Sequence, residues 1–308
     1  MTIISITFPL LCMVLLGYWV THFQFFSKSQ IGGISKFAFN LCIPVFLFLN
    51  MYLAHLEKSF DINMLAAFYL PVLGIYLLGF LFNRYLMERG RGTGAGSSVF
   101  ALGCSYSNTI LIGLPVIIAA LGEQMMGSVF AIITFHSAIL FALTFLLAAR
   151  HSIDGFSWRT FGRTLVINPV VLSITAGLVC NAIGVPVHRE LIAALTLISE
   201  PALACALFVL GANLSFYRIG DNWLASMFAS IFKLLLLPAL VYLCGNYLLA
   251  LNHQQVSLVV LMSASPLGVN AYLVATQLKS QQSTLASTVV LSTILSVFSF
   301  SFWLWVLL

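Results

Sequence analysis

Residues 105–116 read SYSNTILIGLPV and lie between Arg91 and Glu123, in a stretch that carries no other charged side chain. The stretch is long and apolar enough to cross a membrane, which takes about 20 residues in a helix. Its centre nevertheless contains hydroxyl groups, an amide, a glycine and a proline, and several of these residue types weaken or break helices. The sequence therefore predicts a membrane-spanning helix that is interrupted near its midpoint.

The rest of the chain has the same apolar character. Of its 308 residues, 61% are hydrophobic and only 7% are charged, whereas soluble domains carry about 25% charged residues. The apolar runs are continuous and lack the alternation that is typical of a transmembrane β-barrel. We therefore expect an all-α integral membrane protein with ten transmembrane helices, at approximately residues 3–22, 33–54, 63–84, 95–119, 126–148, 164–184, 191–213, 223–247, 255–275 and 284–306.

Basic residues indicate how these helices are oriented, because lysine and arginine favour the cytoplasmic side of a membrane. The odd-numbered connections and the adjoining helix ends contain Lys28, Lys36, Arg84, Arg89, Arg91, Arg150, Arg159, Arg163, Arg218 and Lys279. The even-numbered connections contain only Lys58 and Arg189. We therefore expect the odd-numbered connections in the cytoplasm and both termini outside the cell membrane, on the periplasmic side.

The chain is expected to consist of two five-helix repeats, residues 1–155 and 156–308. Because five is an odd number, the second repeat must enter the membrane inverted relative to the first. The ninth span contains SASPLGVNAY at 263–272, and so repeats the small, polar and proline residues found in the fourth span. Interrupted hydrophobic segments at matching positions of two halves point to the binding site of a transporter.

Each interruption is expected to free backbone groups near Pro115 and Pro266, and an unsatisfied group in lipid costs several kcal/mol. Nearby serine, threonine and asparagine side chains can satisfy these groups, as can a ligand or water. The half-helix after each break also turns its amino end, with about half a positive charge, toward the membrane midplane. Two such ends predict an anion site that needs no formal cation. The structural alternative is a pair of proline kinks satisfied by neighbouring helices.

Three ionisable residues are predicted at mid-depth: Glu200 in the seventh span, Lys233 in the eighth and His136 in the fifth. A charge at that depth is costly, so Glu200 and Lys233 are expected to face the interior of the bundle. In the functional interpretation, Lys233 binds or senses an anionic substrate and Glu200 is a proton or cation site. In the structural interpretation, the two form a buried ion pair. His136 is either a satisfied core histidine or a further site for ion or proton coupling.

The sequence lacks three common catalytic motifs and so gives no support for an enzyme. The chain contains no H-E-x-x-H, Walker or G-x-S-x-G sequence, and these are the patterns of zinc proteases, nucleotide-binding loops and serine hydrolases. We expect no cofactor, no structural metal and no nucleic-acid partner. Transport would then draw on the gradient of a coupling ion, Na⁺ or H⁺, or on the substrate's own gradient.

Several motifs spread over the chain resemble those of one family. They are SNTILIGLP at 107–115, Asn168-Pro169 with Gly177-Leu178, EPAL at 200–203, LGANL at 210–214, Lys233-Leu234 with Pro238, ASPLGVNA at 264–271 and VLST at 290–293. Together they make the chain similar to the auxin efflux carrier family of membrane transporters, which includes plant auxin carriers and bacterial malonate transporters. The chain lacks the long central loop of many plant members, so the resemblance implies a compact bacterial form in the inner membrane.

The resemblance implies that the interrupted fourth and ninth helices cross at the binding site. It further implies a scaffold domain from helices 1, 2, 6 and 7, which could form a homodimer, and a transport domain from helices 3–5 and 8–10, which moves like an elevator. The substrate carboxylate would meet the half-helix ends and residues around them, namely Ser107, Asn108, Thr109, Gly113, Pro115, Ser265, Pro266, Gly268 and Asn270. Plant carriers have a different residue at the position of Asn270.

The function expected from these observations is secondary transport of small organic anions, mono- or dicarboxylates such as malonate, across the bilayer by alternating access. A sodium or proton antiporter of related inverted-repeat fold is one alternative, but such antiporters usually contain paired intramembrane carboxylates, and only Glu200 qualifies here. A membrane sensor that binds a ligand without moving it is the other. Its disadvantage is that the connections are too short to hold a signalling domain.

Overall fold

The computed structural model describes residues 3–53, 61–87, 94–149, 169–216 and 222–307. Within these ranges the regular structure is helical, apart from one isolated β-bridge. The helices, numbered in chain order, are α1 (Ile3–His22), α2 (Lys28–Leu53), α3 (Ile62–Met87), α4 (Gly94–Ser105), α5 (Thr109–Leu121), α6 (Met126–Ala149), α7 (Pro169–Ala182), α8 (Arg189–Leu214), α9 (Trp223–Leu248), α10 (His253–Ala264), α11 (Val269–Gln277) and α12 (Gln282–Leu307).

Among the described residues, six helical stretches of 26 residues each are long and apolar enough to cross a membrane: Lys28–Leu53, Ile62–Met87, Glu123–Ala148, Arg189–Leu214, Trp223–Leu248 and Gln282–Leu307. At 1.5 Å per residue such a helix is about 39 Å long, which exceeds the hydrocarbon core of about 30 Å. The all-α class predicted from the sequence is confirmed for the described residues. The count of ten crossings and the inverted relation of the two repeats stay predictions.

The fourth and ninth predicted spans are each interrupted in the structure. The fourth becomes α4 and α5, with Tyr106, Ser107 and Asn108 outside both helices. The ninth becomes α10 and α11, separated by residues 265–268.

One detail of the prediction is wrong, because Pro115 does not lie at the break. It lies inside α5, two residues after the end of a π-helical turn at Thr109–Gly113. The wider π turn is one of the recognised ways for a helix to take up a local irregularity. The chain therefore leaves the helix at Tyr106, nine residues before the proline.

The chain forms two compact units. Unit 1 consists of Met1–Asp61, Gly122–Thr134 and Trp158–Phe216, and unit 2 of Ile62–Leu121, Phe135–Ser157 and Tyr217–Leu308. Unit 1 thus contains α1, α2, α7 and α8, unit 2 contains α3–α5 and α9–α12, and α6 is divided between them. The predicted roles of scaffold and transport domain stay predictions.

In unit 1, glycines allow α1 and α8 to approach closely. A Cβ atom built on Gly17 would lie 2.0 Å from the carbonyl oxygen of Phe208, and one built on Gly211 would lie 1.8 Å from that of Val14. Small residues at helix contacts are the usual way to gain packing energy in membranes, where lipid is as apolar as the helices themselves.

In unit 2, buried polar side chains bond mainly to backbone carbonyls. On α12, Thr288 and Thr293 donate to the carbonyls four residues earlier at 2.7 Å. Between helices, Ser226 donates to the carbonyl of Thr284 at 2.9 Å and Ser299 to that of Leu234 at 2.8 Å. These bonds satisfy hydroxyl groups that would otherwise be costly in an apolar core.

Several residues used in the sequence analysis lie outside the described ranges. They are Asn168 of the sixth-span motif and the basic residues Lys58, Arg89, Arg91, Arg150, Arg159, Arg163 and Arg218. The orientation of the chain in the membrane therefore stays a prediction.

Candidate functional site

The two helix interruptions meet inside unit 2. The amide of Asn108 donates a hydrogen bond of 2.8 Å to the carbonyl of Pro266. Ser107 and Leu267 form an isolated antiparallel β-bridge. Two short extended segments, about 160 residues apart in sequence, thus satisfy part of each other's backbone where the helices cannot.

Two glycines make this approach possible. A Cβ atom on Gly268 would lie 2.6 Å from Cε1 of Tyr106 and 3.5 Å from the Cα atom of Asn108. A Cβ atom on Gly113 would lie 2.7 Å from Oγ of Ser265. A larger residue at position 268 would force the Tyr106 ring to shift, and one at position 113 would force the Ser265 side chain to shift.

The amino ends of α5 and α11 both start at this meeting point. Asn108 caps α5, since its Oδ1 accepts a bond of 3.2 Å from the amide of Leu111. In α11, which begins at Val269, the amide of Ala271 bonds to the carbonyl of Gly268 at 3.0 Å. Each helix start presents N–H groups without intrahelical partners and the positive end of its dipole. The arrangement has the electrostatic character of an anion site.

Unpartnered side-chain atoms gather at the same place. Four buried side-chain nitrogen or oxygen atoms of the described residues lack a hydrogen-bond partner: Ser107 Oγ, Asn108 Nδ2, His136 Nδ1 and Trp303 Nε1. The first three belong to the break after α4 or to a residue bonded to it. Leaving a buried donor unsatisfied costs about 1–3 kcal/mol. A hydroxyl group and a side-chain amide N–H are each suited to donate to an acceptor such as a carboxylate.

The segment between α10 and α11, residues 265–268, offers fewer side-chain groups without a hydrogen-bond partner. Ser265 Oγ donates to the carbonyl of Leu261 at 3.3 Å, and the amide of Leu267 donates to Oγ of Ser292 at 3.0 Å. Asn270 is exposed, and its amide is not among the buried polar groups that lack a partner. The polar side chains that remain free therefore come from the first segment.

Two further residues predicted around the first break, Thr109 and Pro115, lie in α5. Thr109 is buried, and its amide bonds to the carbonyl of Ser107 at 2.9 Å. Pro115 is buried inside α5, seven residues after the capping residue Asn108. Pro115 has no polar side chain.

Lys233 is 0% exposed and lies in the π-helical turn of α9. Its ammonium donates to the carbonyl of Ser263, in the last turn of α10. A cation at this end of a helix offsets the negative end of the dipole. The predicted direct contact between Lys233 and substrate stays a prediction.

Glu200 was expected to face the interior, and this expectation is wrong. Its side chain is exposed, at the point where Pro201 interrupts α8 in unit 1. Depth along a helix does not specify which face a residue occupies. An exposed carboxylate is not half of a buried ion pair, so the structure also contradicts that alternative.

His136 is 0% exposed on α6, and its Nε2 accepts a hydrogen bond of 2.9 Å from the amide of Ser107. Sequence reasoning placed this histidine at mid-depth but missed the contact, as it missed that of Ser292 with Leu267. Both contacts join residues at least 25 positions apart, so no local pattern contains them. The sequence offered little signal: His136 is the one titratable residue of its span, whereas Ser292 is one of several serine and threonine residues in its own.

Comparisons with known proteins find similar sequences among membrane transport proteins. The family described as "Membrane transport protein" matches residues 2–154 and 156–304. A "Putative malonate transporter" of Rhizobium meliloti (strain 1021) is 23% identical over 96% of this chain and 92% of its own length. An "Uncharacterized transporter" of Methanothermobacter thermautotrophicus is 26% identical over 95% of this chain and 94% of its own length.

A plant protein also matches. "Auxin efflux carrier component 8" of Arabidopsis thaliana is 25% identical over 147 residues, which are 47% of this chain and 40% of the plant protein. These matches confirm the resemblance to the auxin efflux carriers that the sequence motifs predict.

Proposed function

The chain belongs to the family of membrane transport proteins, and on that premise we propose that this multi-pass membrane protein is a secondary carrier of small organic anions. The anions would be mono- or dicarboxylates such as malonate, moved by alternating access. One observation carries the proposal: Ser107 Oγ and Asn108 Nδ2 are buried without partners where the amino ends of α5 and α11 meet.

A carboxylate fits this place for electrostatic and for hydrogen-bonding reasons. Its negative charge is stabilised by the positive ends of two helices. Its oxygens can accept hydrogen bonds from the Ser107 hydroxyl and from the side-chain NH₂ group of Asn108. Charge-assisted hydrogen bonds of this kind are about twice as strong as neutral ones. Pro266 and Gly268 would shape the opposite wall through their backbone, since neither has a polar side chain.

Lys233 would support anion binding through its charge. Its ammonium is completely buried and is held at the carbonyl end of α10. A buried positive charge acts over a longer distance than an exposed one, because it is less screened by solvent. Removing this charge should therefore weaken the binding of an anion at the meeting point, even though Lys233 makes no direct contact with the anion.

Energy for transport would come from a gradient of Na⁺, of H⁺ or of the substrate itself, with no cofactor. Glu200 is the proposed coupling group. It is the acidic residue next to the proline that interrupts α8.

The site residues discussed above all belong to unit 2, with the exception of Glu200. We propose that unit 2 carries the bound anion as one body, in an elevator-like movement. Unit 1 would be the scaffold and would form a homodimer in the inner membrane, with both termini of the chain outside.

The experiment is uptake of ¹⁴C-labelled malonate and of labelled monocarboxylates into proteoliposomes, with and without imposed Na⁺ and H⁺ gradients. We expect saturable uptake of at least one acid by the wild type, and a loss of at least 10-fold in the Asn108→Ala variant. Asn50→Ala is the matched control, because the Asn50 amide only bonds to the carbonyl of Phe46 in its own helix. Binding without uptake would indicate a sensor, and cation exchange without any organic anion an antiporter.

A further inference from the structure

His136 connects α6 to the first helix break through one particular ring nitrogen. The amide of Ser107 donates to Nε2 at 2.9 Å. The imidazole ring also stacks on Tyr106, with 5.0 Å between ring centroids and 16° between planes. The hydroxyl of Tyr106 is in turn fixed by Ser137 on α6, at 2.9 Å. The histidine thus holds two consecutive residues of the break.

This contact determines the chemical state of the ring. A backbone amide can only donate, so Nε2 must be the nitrogen that carries no proton. In a neutral imidazole the proton is then on Nδ1, which is buried and has no partner among the described residues. A second proton, on Nε2, would set a donor against the donor of Ser107 and break the contact.

The groups around His136 also disfavour a second proton. Phe68 and Tyr69 of α3 lie at 5.4 and 6.3 Å between ring centroids, and Tyr106 covers another face. These rings carry no charge to stabilise an imidazolium. No carboxylate of the described residues contacts the ring nitrogens, since Nε2 accepts from the Ser107 amide and Nδ1 has no partner. The side chain of Lys233 also acts on the ring, and a charged ammonium would repel a second positive charge.

The second break has the same kind of attachment with a different residue. There the amide of Leu267 donates to Oγ of Ser292 at 3.0 Å. Residues 107 and 267 are the two partners of the β-bridge. The amide of each partner donates to one side chain: that of residue 107 to a side chain on α6, and that of residue 267 to a side chain on α12. The serine hydroxyl accepts this hydrogen bond and does not change its protonation state in the physiological pH range. The requirement at both places is an acceptor for a backbone amide.

We propose that His136 is a positioning residue of the carrier, which stays neutral with its proton on Nδ1 and fixes the Ser107 amide so that the Ser107 hydroxyl and the Asn108 amide face the substrate carboxylate. It is not a site of proton coupling. This inference rests on the proposed function for its role in binding, but the state of the ring can be tested without any substrate.

Glutamine is the variant that separates positioning from titration. Its side-chain oxygen can accept from the Ser107 amide and its NH₂ group replaces the Nδ1 proton, yet it cannot take up a proton. We expect His136→Gln to retain uptake within about 3-fold of the wild type, with an unchanged pH profile. His136→Leu should raise KM about 10-fold, the equivalent of about 1.4 kcal/mol. His188→Gln is the control, because His188 is exposed and lies in unit 1.

Two outcomes of this series would overturn the proposal. One is a His136→Gln variant as impaired as His136→Leu. The other is a His136→Gln variant that transports but has lost the pH dependence of the wild type, since that result would make His136 a coupling group.

A spectroscopic measurement keeps the inference testable if the variants do not fold or if no acid is transported. Solid-state NMR of wild-type protein with ¹⁵N-labelled histidine, in bilayers between pH 5 and 8, distinguishes protonated from unprotonated ring nitrogens. We expect one buried histidine, assigned by its contact to the Ser107 amide, with an unprotonated Nε2 and a protonated Nδ1 at every pH. A protonated Nε2 or a doubly protonated ring in this range would contradict the proposal, whereas absence of uptake alone would contradict only the proposed function.

Discussion

The amide of Asn108 donates to the carbonyl of Pro266 at 2.8 Å, and this bond joins the two interrupted helices of unit 2. It fixes the residue whose side-chain Nδ2 is buried without a partner. The same residue caps α5 through its Oδ1. Asn108 therefore provides the backbone bond between the breaks, the cap of α5 and an unpartnered side-chain donor. The position of the proposed anion site consequently depends on how closely the two breaks meet.

Gly268→Ala tests that close approach. The added methyl group would lie 2.6 Å from the Tyr106 ring, which cannot move aside easily because it stacks on His136. We expect a loss of about 1–3 kcal/mol in stability, as for other overpacked cores, and a marked loss of uptake. Thermal unfolding in detergent measures the first effect. Gly33→Ala is the control, because a methyl group there meets nothing within 4 Å; equal stability of the two variants would show that the approach is looser than described.

Ser292→Ala removes the acceptor of the Leu267 amide. The buried amide would then lack a partner, at a cost of about 1–3 kcal/mol, and we expect both a lower unfolding temperature and weaker uptake. Ser301→Ala is the matched control on the same helix, since Ser301 donates only to the carbonyl of Val297. An uptake defect no larger than that of the control would mean that the second break needs no such support.

Lys233→Met keeps most of the side-chain volume and removes the charge. We expect KM for the transported acid to rise by about 10-fold, because a buried positive charge near the anion is lost. Lys36→Met, a change at an exposed lysine, should leave KM unchanged. If Lys233→Met lowers only the yield of folded protein and not the affinity, Lys233 serves the structure alone.

Glu200→Gln tests the proposed coupling group. The amide carries no charge and cannot bind a proton or a cation as the carboxylate does, so uptake driven by an imposed Na⁺ or H⁺ gradient should fall while uptake down the substrate's own gradient continues. Initial rates with and without each imposed gradient measure this. A variant that responds to both gradients like the wild type would exclude Glu200 from coupling.

Much of the fold could be predicted because its signals are local. Apolar runs of spanning length mark most of the helices, and the small and polar residues at 105–116 and 263–272 mark the two breaks. The position of the first break was less accurate, because a π turn separates Pro115 from the residues that leave the helix. The prediction assumed that the proline itself sets the break.

The candidate site was harder to predict, for two physical reasons. The burial of Glu200 was judged from its depth along a span, but exposure depends on which side of the helix faces neighbouring elements. The role of His136 depends on a hydrogen bond to a backbone amide 29 residues away, and amides are identical in every sequence. Which of the predicted residues touch the substrate stays a prediction.

The most direct test of the carboxylate site is a distance measurement by solid-state NMR. Protein with ¹⁵N-labelled asparagine side chains, in bilayers, would be saturated with the best-transported acid, labelled with ¹³C in its carboxylate. A hydrogen bond of about 2.7–3.2 Å between nitrogen and oxygen predicts a strong ¹³C–¹⁵N coupling that disappears in Asn108→Ala. Bound acid that shows no coupling to Asn108 would contradict the central claim.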